Sequence, residues 1–344
     1  LMLKGNINHV RCAHYPDAPY WYYLCDKYGI MLENEANIES HQYYYGDASL
    51  SHVPEFLNAH IARVMEMAHA TINNPSIVIW SLGNEAGPGE NFVKAYKRLK
   101  AFDATRPVQY ERNNNIVDMG SNQYPSIGWT QYAVTGKAPI KYPFHISEYA
   151  HSMGNSTGAM KDYWDLIRKY DNLLGGHIWD WKDQGLARYD DRGVKNWGYG
   201  GDYERDTDPN SGNFCCNGIV SPDCTPKPAM WTCKYVYQPI EFAMVDKEAF
   251  RISLKNRNFH RTTEGYAYSW EIKDENGVLQ SGVFEAPVLA PGETAEVTLS
   301  PKKLTFKPGA VYMLNVFAKE TAELPYAKPG HVNSSEQFVL NERT

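Results

Sequence analysis

Two of the forty acidic residues end apolar runs: Glu85 closes IVIWSLGNEAG and Glu148 closes FHISEYAHSMGN. A carboxylate at the end of a buried strand is costly unless it is paired or used. One acid so placed fits an N-cap or a structural ion pair as well as catalysis. Two at similar strand ends, each flanked by polar groups, point to a working pair. Glycoside hydrolysis needs such a pair. One carboxyl protonates the leaving oxygen, while the other attacks the anomeric carbon or activates water.

Other polar residues gather at neighbouring strand ends: Arg11 and His14 in VRCAHYP, Asn84 before Glu85, Tyr124 in NQYP, His151 in EYAH, and Trp179 in GGHIWDW. The histidines suit sugar hydroxyls or a satisfied core, and Trp179 and Trp181 suit an aromatic wall for a sugar ring. Glu39 and His41 stand at i and i+2. In an extended segment both point the same way, and with Glu85 they make an oxygen-rich site for a divalent cation such as Mg²⁺. Alone, Glu-x-His also fits an ordinary surface pair. The glycine-rich GNEAGPGEN lacks the Lys-Ser/Thr ending of a phosphate loop.

These residues need a frame that sets strand ends side by side. Apolar strands are expected at 7–12, 30–38, 77–82, 108–111, 119–124, 144–147 and 176–179. Helical stretches lie between them at 19–28, 54–71, 91–102 and 158–170. In 54–71, Phe56, Leu57, Ile61, Val64, Met65 and Ala68 recur at helical spacing. Strand–helix alternation means a parallel sheet covered by helices. Chemistry at the C-terminal strand ends, without GxGxxG, favours a (β/α)8 barrel over an open doubly wound sheet. Seven strands are counted where a closed barrel has eight, so the first strand and what precedes it are expected to be missing. Past residue 228 the pattern switches to period two with turn signals such as Glu275-Asn276-Gly277, an immunoglobulin-like sandwich. The expected domains are 1–227, the barrel with its strands two to eight, and 228–344, the sandwich.

Composition narrows the partners. A net charge of -6 with no Lys/Arg stripe argues against nucleic acid. No apolar run approaches a membrane span, and the first ten residues are too short and polar for a signal peptide. Six cysteines without a CxxC pair suit reduced thiols better than zinc, with a disulfide among Cys215, Cys216, Cys224 and Cys233 as the alternative. The 25 Tyr and 9 Trp supply flat apolar faces with polar tips, which fit sugars.

The runs VRCAHYPDAP, ENEANIESH, IVIWSLGNEAGPG, RPVQYE, ISEYAHSMGNS, GGHIWDWKDQG, YGGDY and NFCCNGIV occur in one order over about residues 5–240. In this the chain resembles the large bacterial β-galactosidases of glycoside hydrolase family 2. The resemblance implies a retaining hydrolase with Glu148 as nucleophile and Glu85 as acid/base. It also implies Asn84 on the sugar 2-hydroxyl, sugar contacts from His14 and His151, and an active-site Arg11. Tyr124 would bond the nucleophile and Trp179 would form the platform under galactose. Glu39, His41 and Glu85 would hold Mg²⁺; Asn217 and the Phe214 carbonyl would hold Na⁺, with Asn217 also near the substrate.

Family members also carry N-terminal and C-terminal β domains that supply further sugar and sodium contacts, and these are expected to lie outside residues 1–344. Asn34 and Glu33 stand where the family usually has Asp and an apolar residue. The expectation is therefore a β-galactosidase acting on β-galactosides such as lactose, a homo-oligomer when whole, in the bacterial cytoplasm or periplasm. The alternatives are an inactive fragment or sugar-binding remnant of it, or a family 2 β-glucuronidase.

Overall fold

Short apolar strands alternating with helices build the unit Asn8–Met230 in a computed structural model, which describes residues 1–43 and 46–341. The order is β1 (His9–Arg11), α1 (Pro19–Tyr28), β2 (Met31–Glu35), α2 (Leu57–Thr71), β3 (Ile77–Ser81), α3 (Glu90–Phe102) and β4 (Val108–Gln109). There follow β5 (Gly120–Gln123), α4 (Ile127–Val134), β6 (Phe144–Tyr149), α5 (Met160–Lys169) and β7 (Leu173–Ile178). All seven strands are parallel, in two blocks, β1-β2-β3-β4 and β5-β6-β7. The Asp118 and Met119 N–H groups donate to Val108 O at 2.9 and 3.4 Å, which carries the sheet from one block to the next. Helix ends follow local chemistry. Pro19 opens α1, where no hydrogen bond is lost, and left-handed Gly29 closes it on Cys25 O. The Ser126 side chain caps α4, a helix that was not expected.

Alternation decides which side chains enter the interior. On β2, Asn34 faces outward to Tyr22 and Thr71, so Glu33 and Glu35 face inward. On β6, Asn122 pairs with Ile146 but Gln123 with Glu148. This bulge at Ser147 brings Glu148 to the same side as His145. Several strands are shorter than expected, among them β2, which stops at Glu35, and β4, which stops at Gln109. The loop after each then carries residues of the rim. The hairpin β8 (Leu186–Tyr189) with β9 (Lys195–Gly198) was not expected either.

The second unit joins Leu1–Ile7 to Trp231–Thr344. Its start in the later sequence falls within α6 (Pro228–Val236), where the expected boundary at 227/228 sat in a proline-rich stretch. Pro228 is tolerated because it lies in the first helical turn. The strands are β10 (Ile240–Asp246), β11 (Arg251–Asn256), β12 (Tyr266–Asp274), β13 (Gly277–Phe284), β14 (Thr294–Thr298), β15 (Met313–Glu320) and β16 (Val332–Val339). They form two antiparallel sheets, β10-β11-β14 and β13-β12-β15-β16, whose inner faces share one apolar core of Ile252, Leu254, Trp270, Ile272, Leu314 and Val316 among others. Asp274 pairs with Gly277 across Glu275-Asn276, which places the hairpin turn at the expected Glu-Asn-Gly. All six cysteines are free. Among the described residues no helix is long and apolar enough to cross a membrane.

Candidate active site

Arg11 is the hub. Strand β1 aims it inward, where its buried guanidinium donates to Glu35 Oε2 (2.8 Å), Glu148 Oε1 (2.6 Å) and Asn84 Oδ1 (2.9 Å). Burial works against its charge, but Glu35, Glu148 and Glu33 outweigh that and raise its pKa further. Glu35 completes its shell with Ser81 Oγ (2.6 Å) and His14 Nδ1 (2.9 Å). Its pKa falls despite burial, because Arg11, His14 and Ser81 favour the anion. His14 moves the other way: burial opposes protonation, and Glu35 overrides it and raises the pKa. His14 is thus committed to Glu35 and to Trp179, on which its ring stacks at 4.8 Å. Nε2 remains as its polar atom for a ligand.

Glu148 is buried and collects donors. Besides Arg11, Gln123 Nε2 donates to Oε1 at 2.9 Å. Tyr124 lies against the same carboxylate, and burial together with that anion raises the phenol pKa far above its usual value. The Tyr124 N–H also donates to Glu148 O at 2.7 Å. Gln123 reaches Asn84 Oδ1 as well, at 2.9 Å, so Asn84 meets Arg11, Gln123 and Glu39.

Glu85 occupies a different setting, on the loop after β3. Gly83 has φ +149°, and a Cβ there would stand 2.6 Å from Ile38 O, so only glycine lets this loop press against the segment after β2. The Asn84 N–H then donates to Ile38 O at 2.8 Å, and Glu85 arrives beside Glu39 and His41. The backbone of Glu85 is left-handed (φ 39°), as are Tyr124 and Ala150. Such strain gathers at functional rims. The Glu85 N–H is held by Glu111 Oε1 at 2.9 Å. Its carboxyl meets Arg112 Nη2 at 3.4 Å and His41 Nδ1. Glu111 is pushed up to about 7, chiefly by burial, with Arg11 opposing.

Glu39, His41 and Glu85 each offer one ligand atom, all within 4.8 Å of one another. The expected extended segment is not what joins the first two. Glu39 makes a lone bridge to Asn84, and His41 opens a 3-10 turn, His41–Tyr43. Two carboxylates and one imidazole on a partly exposed rim suit a divalent cation. At the other expected ion site, Asn217 Nδ2 donates to Phe214 O at 2.7 Å. Asn217 Oδ1 is buried without a hydrogen-bond partner among the described residues, an oxygen donor fitting a hard cation. His14, Glu39, Trp179, Phe214 and Asn217 line one cavity of about 470 Å³, room for a monosaccharide. The His151 ring lies between Tyr124 and Phe214, 5.9 Å from each.

The structure thus gathers every expected site residue within the unit Asn8–Met230. Sequence reasoning missed Glu35, Gln123, Glu111 and Arg112. A signal existed for the first: alternating acids, Glu33 and Glu35, in a strand that must be buried.

A model described as glycosyl hydrolases family 2, TIM barrel domain, matches residues 1–242. One described as β-galactosidase, domain 4, matches residues 252–341. A β-galactosidase of Alteromonas mediterranea is 36% identical, the alignment covering 100% of this chain and 34% of that protein. β-Galactosidase 2 of Enterobacter cloacae is 38% identical over 99% of this chain and 34% of its own length. The chain therefore spans about a third of the length of these relatives. The crystal structure of Ruminococcus gnavus β-glucuronidase is similar in fold, with TM-score 0.50 and 18% identity over 67% of this chain and 44% of that one.

Proposed function

Since the chain belongs to glycosyl hydrolase family 2, we propose that it carries both working carboxylates of a retaining β-galactosidase. The observation that carries this reading is the convergence of Arg11, Gln123 and Tyr124 on Glu148, while Glu85 faces a separate set of partners. Two carboxyls in unlike surroundings suit unlike roles. Glu148 attacks the anomeric carbon as Glu85 gives its proton to the departing glycosidic oxygen. The C–O bond to the leaving group breaks and a glycosyl ester forms on Glu148. Glu85 then takes a proton from water, whose oxygen attacks the same carbon and frees Glu148. Arg11 and Tyr124 hold the Glu148 oxygens in place through both steps. Trp179, backed by His14, offers a flat face to the sugar, and Asn84 lies next to both carboxylates to meet the 2-hydroxyl.

Glu39, His41 and Glu85 would hold Mg²⁺, which supplies positive charge beside the acid/base when bound. Phe214 O and Asn217 would contribute to a Na⁺ site at the sugar cavity. The substrate reading, a terminal β-galactoside, rests on the similarity to the named β-galactosidases over nearly the whole chain. The homo-oligomer and the bacterial cytoplasm or periplasm are proposed on the same ground.

The test is direct. An aryl β-galactoside and an aryl β-glucuronide are offered to the chain alone and to the chain joined to the flanking sequence of its gene. Preference for the galactoside with β-galactose as the first-formed anomer is expected. Release of the α-anomer would overturn retention, and preference for the glucuronide would overturn the substrate.

A further inference from the structure

Below the Arg11 layer the interior of the strand unit holds a second polar layer that the hydrolytic mechanism does not use. His9 lies two residues before Arg11 on β1, Glu33 two before Glu35 on β2, His145 three before Glu148 on bulged β6, and His177 two before Trp179 on β7. Barrel interiors are ordinarily packed with branched apolar side chains, and Glu33 stands where the family resemblance calls for one. Glu33 and His145 are 0% and 3% exposed. An unneeded acid and imidazole at that depth would be expensive.

The atoms are arranged around a shared point. Glu33 Oε1 is satisfied by Gln109 Nε2 at 2.6 Å. Its Oε2 pairs with His145 Nε2 at 2.9 Å, close enough for an ion pair but outside hydrogen-bond geometry, and His145 Nδ1 and His177 Nδ1 lack a hydrogen-bond partner among the described residues. His177 Nε2 is 2.6 Å from His9 Nδ1. One ligand atom from each of Glu33, His145 and His177 lies within 4.8 Å of the other two. Around a tetrahedral ion with bonds of about 2.05 Å the donors stand roughly 3.3 Å apart, a small adjustment away.

We infer that Glu33, His145 and His177, with His9 buttressing His177, form a largely buried binding site for a divalent first-row transition cation of the Zn²⁺ class. Two imidazoles and one carboxylate favour that class, in contrast to the carboxylate-rich rim group, which suits Mg²⁺. The neutral ring is the ligating form. The ion would tie strands β1, β2, β6 and β7 together beneath the catalytic rim, with Glu33 Oε1 3.5 Å from Arg11 Nε.

The full chain is purified with Zn²⁺ and gel-filtered into metal-free buffer. Elemental analysis is expected to find one retained Zn²⁺ per chain, and X-ray absorption at least two imidazole nitrogens at about 2.0–2.1 Å. Adding Zn²⁺ to the stripped protein should raise Tm by about 5 °C. The double substitution His145→Leu/His177→Phe refills the layer with apolar groups and should abolish retention while melting remains cooperative. The substitution His41→Ala, confined to the rim group, should leave retention intact. No retained metal and no Tm shift in the unmutated chain would overturn the inference, since water or ring-to-ring hydrogen bonds then satisfy the layer. Retention by the double variant would overturn it equally, by locating the ion elsewhere.

Discussion

The interior of the strand unit and the core of the sandwich unit solve burial in opposite ways. In the sandwich, Ile252, Leu254, Ile272, Leu314 and Val316 are fully buried, and the amide and the charge set among them have partners. Asn256 donates to the carbonyls of Arg261 and Leu289, and Glu320 is gripped by two nitrogens of Arg261 and by Asn333. In the strand unit the equivalent depth holds Arg11, Glu33, Glu35 and Glu148, with Glu111 beside them. Desolvating ions costs several kcal/mol each unless good geometry repays it. The sandwich interior serves stability, whereas the strand interior gives some of that stability up to hold charge. Left-handed Glu85, Tyr124 and Ala150 lie at the rim of the strand unit, while the sandwich unit has left-handed Phe250 between two of its strands.

The contrast breaks most readily at Glu148. Glu148→Gln keeps the side-chain shape but removes the attacking anion. Turnover of an aryl β-galactoside by the active form should fall at least ~10⁴-fold with Tm nearly unchanged. A loss below tenfold would mean that the buried charges are structural after all. Next comes Glu85→Gln, expected to cost about 10²–10⁴-fold in kcat, more for poor leaving groups than for activated ones. Equal losses on both kinds of substrate would take proton donation away from Glu85.

The sandwich should answer in the other currency. Ile272→Ala opens a cavity in an apolar core and is expected to lower unfolding free energy by about 2–5 kcal/mol, leaving kcat per folded molecule unchanged. Urea titration followed by activity measurement reads both.

The smallest effect sharpens the comparison by locating a structural charge outside the rim. Asp103 binds Trp80 Nε1 (2.9 Å), Thr105 and Arg106. Burial acts to raise its pKa, but these donors prevail and hold it below the usual carboxylate range. A depressed folded pKa adds stability above the unfolded value of ~3.9, and that stability is lost as pH falls toward the folded pKa. Asp103→Asn should therefore destabilise by about 2 kcal/mol at pH 7, and the gap to the unmutated protein should narrow below pH 4 in denaturation curves. A gap independent of pH would assign the effect to packing.

Legibility followed the range of the interactions. Glu85 and Glu148 could be read because each ends an apolar run, and Arg11, Asn84 and Tyr124 because they sit beside such ends. Gln123 and Glu111 could not, since their worth depends on partners 25 and 26 residues away that only strand pairing brings near. Strand β4 was overestimated because apolar Val108 and Tyr110 mimic a longer strand, while pairing stops at Gln109. Helix α4 was overlooked because its capping signal at Ser126 is a single residue.

By itself the sequence determined the alternation of strands and helices, the change to antiparallel strands after residue 228, and the placing of Glu85 and Glu148 at the ends of apolar runs. Those properties are local: hydrophobic period, turn residues and the cost of ending a buried strand in an acid are all written in neighbouring positions. Tertiary structure alone decided that one arginine serves Glu35, Glu148 and Asn84 together, and that a bulge at Ser147 turns Glu148 inward. It also decided that His9, Glu33, His145 and His177 share one interior layer, with Glu33 and His145 buried. Each of these follows from register and strand order, and a one-residue shift in register would send the same side chains to the opposite face.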